Sequence, residues 1–190
     1  MRSWATALFV ALCLGGCTLP PLGIGPRRPA APQTPVAQDT PRAKINRLLT
    51  HGDYDAALEG LLALPTYRDT QRRIWVKTLN GLLTRANTRM DAGQFLAAGR
   101  DCRKVFDALP LQPRIYQSLE LTRPQILELI DINANRLFLK GMRAYRRGDL
   151  QQALEIWNGI DSFHPGHLSS QRAIRTTRKQ LQKLNDHPPG

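Results

Sequence analysis

The sequence predicts an all-α fold. From Arg42 to Asn185 apolar residues recur three and four positions apart, and glycine and proline fall between the segments so defined. No stretch sustains the period-two alternation of a half-buried strand. A hydrophobic fraction of 42% with 22% charged residues suits a chain that buries a core, and 190 residues allow one domain with appendages. The 27 Lys and Arg against 15 Asp and Glu, a formal charge of +12, point to anionic surroundings without choosing among them.

The first residues bear on that choice. Arg2 precedes an apolar run from Ala5 to Leu14, which has the form of a secretory signal. At about ten residues the run is too short to span a bilayer, which takes roughly 20. Leu14-Gly15-Gly16-Cys17 follows, and this tetrapeptide resembles the lipobox of bacterial lipoprotein signal peptides. The resemblance implies a signal over residues 1–16, cleavage between Gly16 and Cys17, and acylation of Cys17. Two or more acyl chains, at about 0.8 kcal/mol per buried methylene, hold a protein on a membrane almost permanently. Thr18 stands where many inner-membrane lipoproteins carry aspartate, so the implied location is the outer membrane, facing the periplasm. Cys13 would leave with the signal and Cys17 would carry lipid, which leaves Cys102 as a buried small hydrophobe without a disulfide partner.

From Thr18 to Pro41 the chain holds seven of its 14 prolines and almost no large apolar residue beyond Ile24. Such a segment buries too little surface to offset its ordering entropy, so residues 17–41 are expected to be a disordered tether. The folded domain is expected over 42–185, with 186–190 as a disordered tail. Within the domain the apolar spacing predicts helices over 42–50, 54–64, 68–91, 94–109, 123–147, 149–161 and 167–184. A connection runs from Leu111 to Thr122.

The helical segments resemble one another. Gly52-Asp53-Tyr54 with Ala57 and Leu61, Gly93-Gln94-Phe95 with Ala98 and Cys102, and Gly148-Asp149-Leu150 with Ala153 and Trp157 share one pattern, and Pro65, Pro110 and Pro165 follow them. Glycine supplies a left-handed helix end, a short polar residue caps the next helix, and alanine permits close crossing. Bulky Leu61, Phe106 and Trp157 are expected in the core between layers. The pattern resembles the tetratricopeptide repeat, most closely in its third copy, where Leu137, Gly141, Gly148, Ala153, Trp157, Ile160 and Pro165 fall at the family's spacings. Tyr145 departs by one place, the usual aromatic position being Ala144. The glycines also lie 41 and 55 residues apart rather than about 34. The resemblance implies a short helix-turn-helix array of two good repeats and a partial first one, with a C-terminal capping helix from His167.

Repeats of this family are generally protein-binding scaffolds, whose inner face is lined by the first helix of each repeat. On the best-formed repeat this makes Asn135, Arg136, Leu139, Lys140 and Arg143 candidate partner contacts. No nucleophile elbow, phosphate loop or zinc-protease motif occurs. His164 and His167 lack neighbouring metal-ligand spacing apart from Asp161. Glu128 and Asp131, three apart on one helix face, are expected to form surface ion pairs. No cofactor and no metal is implied.

Arg143, Arg146 and Arg147 end one helix, and Arg172, Arg175, Arg178, Lys179 and Lys183 occupy the last. They form either a solvated cap or a basic surface toward lipopolysaccharide phosphates, peptidoglycan carboxylates or an acidic partner. A secreted chain would not meet nucleic acid. The sequence therefore predicts a membrane-anchored adaptor for envelope protein partners, with a peptidoglycan-binding, enzyme-regulating or enzymatic lipoprotein as the alternative.

Overall fold

Three glycines punctuate the chain in the same way. Gly52, Gly93 and Gly148 take φ values of 74°, 71° and 81°, a region that costs an L residue its Cβ–carbonyl clearance. At each, the following amide reaches back to a carbonyl of the last helical turn: Asp53 to Leu48 at 2.9 Å, Gln94 to Arg89 at 2.8 Å and Asp149 to Ala144 at 3.1 Å. The glycine amides bond to Leu49, Met90 and Tyr145 at 3.4, 2.9 and 3.0 Å. Each helix end thus gains two donors for the carbonyls of its last turn. Asp53 and Asp149 then start the next helix, accepting the amides of Ala56 at 3.1 Å and Gln152 at 3.0 Å.

The computed structural model describes residues 40–64, 71–108 and 113–186, which lie in one compact unit that begins at Asp39. Among the described residues the elements are all helical: α1 Pro41–Thr50, α2 Tyr54–Leu62, α3 Arg72–Asp91, α4 Phe95–Ala108, a 3₁₀ helix Pro113–Ser118, α5 Arg123–Arg146, α6 Leu150–Asp161 and α7 Leu168–Asp186. The all-α class is what the sequence predicts. Pro41 opens α1, capped by Thr40, rather than ending a tether. Asp186 closes α7 rather than starting a tail. The 3₁₀ helix, with Ile115 fully buried, orders part of the connection between α4 and α5. Residues 1–39, 65–70, 109–112 and 187–190 are outside the described residues, and with them the expected signal, most of the tether, Pro65 and Pro110.

Each helix packs chiefly on its neighbours in the chain, so contact runs from α1 through α7 in order, with α1 also touching α3. Ala57, Ala98 and Ala153 are wholly buried at the crossings, where a larger side chain would separate the pair. Two further glycines admit aromatic rings, Gly81 facing Tyr54 and Gly99 facing Phe163. Leu61 and Trp157 are buried as expected, but Phe106 is not. Its ring lies at the flank of α4, half-buried, with the guanidinium carbons of Arg123 at 4.7 Å and Arg103 at 5.5 Å from its centroid. Cys102, in the same register after its glycine as Leu61 and Trp157, fills the core place instead.

One acid is buried in this apolar setting. Asp101, 1% exposed, accepts Arg85 Nε at 2.9 Å and Nη2 at 2.7 Å, and Arg89 Nη1 at 2.6 Å. Arg85 also pairs with Asp55 at 2.8 Å, and Lys104 with Asp55 at 2.5 Å. The network ties α2, α3 and α4 together, and the paired carboxylate and guanidinium charges offset each other's desolvation.

Candidate interaction surface

Helix α5 has two sides. Ile126, Ile130, Asn133, Ala134, Leu137, Gly141 and Ala144 form its buried stripe. At 100° per residue the opposite side carries Glu128, Ile132, Asn135, Arg136, Leu139, Arg143 and Arg146. Ile132 and Leu139, seven apart, lie at the centre of that side, and Leu139 is 50% exposed. Arg136, Lys140 and Arg143 stand exposed around them and form no ion pair among the described residues. The outward face of α5 is thus a short apolar ladder ringed by cations.

Helix α5 is packed between α4 and α6 and is tied to α7. Trp157 donates its indole N–H to the Phe138 carbonyl at 3.1 Å and stacks on Phe138 with centroids 6.0 Å apart. Tyr145 donates its hydroxyl to Gln180 Oε1 at 2.9 Å, joining α5 to α7. Beside that bond a recess of about 450 Å³ is lined by Tyr145, Leu150, Gln180, Lys183 and Leu184. A second cleft of about 670 Å³ lies at the other end of the unit, between α1 and α2, with Ile45, Leu48 and Gly60 among its walls.

Two histidines of the α6–α7 loop return to α5. His164 Nε2 meets Asp131 Oδ1 at 2.7 Å, and His167 Nε2 meets Asn135 Oδ1 at 3.2 Å. His167 Nδ1 accepts the Ser170 amide at 3.2 Å, so neutral His167 carries its proton on Nε2 and donates to Asn135. Burial lowers the His167 pKa below its ordinary 6.5, reinforced by the charge of His164 and opposed by Asp131 and Asp161.

Of the sequence-predicted contacts, Arg136, Leu139 and Arg143 share the open face of α5, Lys140 is exposed on its flank, and Asn135 is engaged by His167 at its edge. Asp131 meets the His164 ring instead of the Arg or Lys expected of it, and Glu128 has no ion pair among the described residues. Gly16 and Cys17 are outside the described residues. Sequence reasoning missed Ile132, although its seven-residue spacing from Leu139 marks the same stripe, and it missed the loop histidines as supports of α5.

The Ser170 hydroxyl donates to the His167 carbonyl at 2.8 Å rather than facing an imidazole. Burial pushes the Cys102 thiol up to about 12, and the adjacent Asp101 charge adds to this. Among the described residues no three histidine, cysteine, aspartate or glutamate side chains come together as a metal site. No described helix is long and apolar enough to cross a membrane. Comparison with protein-family models, with curated proteins and with solved structures gives no match to this chain.

Proposed function

We propose that this chain is a lipid-anchored lipoprotein of the outer membrane, facing the periplasm, whose domain is a short tetratricopeptide-like array that holds protein partners. The observation that carries the array is the recurrence of one unit. A helix closes on Gly52, Gly93 or Gly148 with the same pair of bonds, and an alanine five residues later is wholly buried. A chain built of such hairpins, each packed on its neighbours in sequence, acts as an extended scaffold.

The adaptor role is supported by the open face of α5. Ile132 and Leu139 give it apolar area without an intramolecular partner for their exposed parts, and Arg136, Lys140 and Arg143 give it a polar rim. Interfaces draw affinity from a few such central contacts within a polar border. The anchor is supported by Leu14-Gly15-Gly16-Cys17.

A photo-crosslinking residue at position 139, activated in intact cells and followed by mass spectrometry, tests the adaptor. The expected product is one recurring envelope protein, absent when the crosslinker is placed at the buried position 134. Equal yields at both positions would refute it. Acyl labelling of the chain tests the anchor, with loss of label expected in Cys17→Ala.

A further inference from the structure

Helix α7 packs through Ser170, Ile174 and Thr177, its buried residues. Directly opposite, at spacings of four, three, four and four, lie Leu168, Arg172, Arg175, Lys179 and Lys183. Leu168 is 64% exposed, the most of any large apolar side chain among the described residues. The four cations span about 16 Å of one straight helix edge, at 1.5 Å per residue. A shallow recess of about 640 Å³ opens over Arg172, Arg175, Thr176, Arg178 and Lys179.

Several cations of α3 and α4 are matched: Arg85 and Arg89 by Asp101, Lys104 by Asp55, Arg103 by Asp107. The four on the α7 edge have no ion pair or hydrogen bond among the described residues. Arg175 and Lys179, and again Lys179 and Lys183, stand at i and i+4, a like-charge spacing that weakens a helix. The only acid in the helix is Asp186, its last residue. An external anion relieves this repulsion.

We propose that the outer edge of α7 lies flat on an anionic phospholipid surface, with Arg172, Arg175, Lys179 and Lys183 against the phosphates and Leu168 dipping into the interface at one end. Three features favour a lipid surface over other polyanions. The cations form one row along a single helix, with no aromatic side chain anywhere in α7 on which bases would stack. Apart from its cations the recess is lined only by Thr176, so it holds no large apolar side chain of the kind that anchors a protein partner. Headgroup phosphates need only a row of positive charge within a Debye length. The choice of lipid also rests on the membrane-held reading above, where a basic patch supplies a second attachment beside an acyl chain.

The test uses the chain carrying Cys17→Ala, so that lipidation plays no part, sedimented with phosphatidylcholine vesicles with and without phosphatidylglycerol. Binding is expected only to the anionic vesicles and is expected to vanish in high salt. Replacing Arg172, Arg175, Lys179 and Lys183 together by glutamine should weaken it on the order of a hundredfold or more. An equal loss from glutamine at Arg136, Lys140, Arg143 and Arg146 on α5 would reduce the effect to net charge and overturn the assignment. So would unchanged binding in the α7 variant, or tighter binding to poly-glutamate or single-stranded DNA than to vesicles. All these substitutions are on exposed faces, and circular dichroism verifies that helicity is retained. Acyl labelling at Cys17 and crosslinking at position 139 report on the anchor and the adaptor separately.

Discussion

Trp157 lies against the backbone of Gly141, so close that a Cβ on the glycine would overlap the indole ring. The contact sets the approach of α5 and α6, and the indole N–H bond to Phe138 holds the ring in place at 3.1 Å. Trp157 is wholly buried, so it has no free space into which to retreat.

Gly141→Ala should therefore destabilise the domain by about 1 to 3 kcal/mol, although alanine is the better helix former. Gly159→Ala is the matched control. Its Cβ would meet only the Leu96 methyls, at 3.3 and 3.5 Å, the far end of a flexible side chain, so a change within about 1 kcal/mol of zero is expected. Urea unfolding of both variants measures the difference, and equal midpoints would contradict the close-packing account.

Asp101→Asn keeps the shape of the buried side chain but removes the charge that Arg85 and Arg89 share. A loss of about 3 kcal/mol is expected, at the lower end for a broken buried pair because both guanidiniums still reach solvent. Asp107→Asn breaks only the exposed i,i+4 pair with Arg103 and should cost under about 0.5 kcal/mol. Thermal melts of the two variants give the comparison.

Cys102 should resist thiol reagents in the folded protein. With its pKa pushed up to about 12 by burial and by Asp101, roughly one thiol in ten thousand is ionised at pH 8. In a chain carrying Cys13→Ala and Cys17→Ala, modification should be negligible until denaturant exposes the site. Fast labelling under native conditions would place Cys102 at the surface.

Acid should act through two groups in different windows. The folded state keeps His167 neutral below its ordinary pKa of 6.5, mainly through burial. Above that value neither state binds the proton and the residue has no effect on stability. As pH falls below 6.5 the unfolded chain gains a proton that the folded one refuses, so stability drops until the folded pKa is passed. His167→Gln should flatten this part of the profile. Asp55 acts lower: burial raises its pKa, but hydrogen bonds from Lys104 and Arg85 outweigh this and hold it below 3.8. Its stabilisation is present above 3.8 and lost as pH falls through the folded value. Unfolding midpoints from about pH 8 to pH 3, with and without each substitution, resolve the two.

The helical class and most helix ends were legible in the order of residues. The expected helix over 149–161 is α6 within one residue, and the expected helix over 123–147 is α5 within one residue. Glycine turns and capping aspartates act over three to five residues, so local chemistry is enough to state them. The candidate face of α5 was legible as a helix flank, but the engagement of Asn135 by His167 was not, because those residues are 32 apart in the chain. Phe106 was misplaced for the same reason. Its spacing suits a core position, yet the crossing of α4 with α5 puts it beside Arg123.

Short-range steric and hydrogen-bonding preferences were thus sufficient for helices and turns. Burial of Asp101, closure of His164 on Asp131, and the choice of Ser170, Ile174 and Thr177 as the inward side of α7 arise where distant segments cross. Those outcomes depend on the energies of pairs of residues, such as a carboxylate with two guanidiniums or an indole with a glycine. A pair has no energy until folding brings its members together.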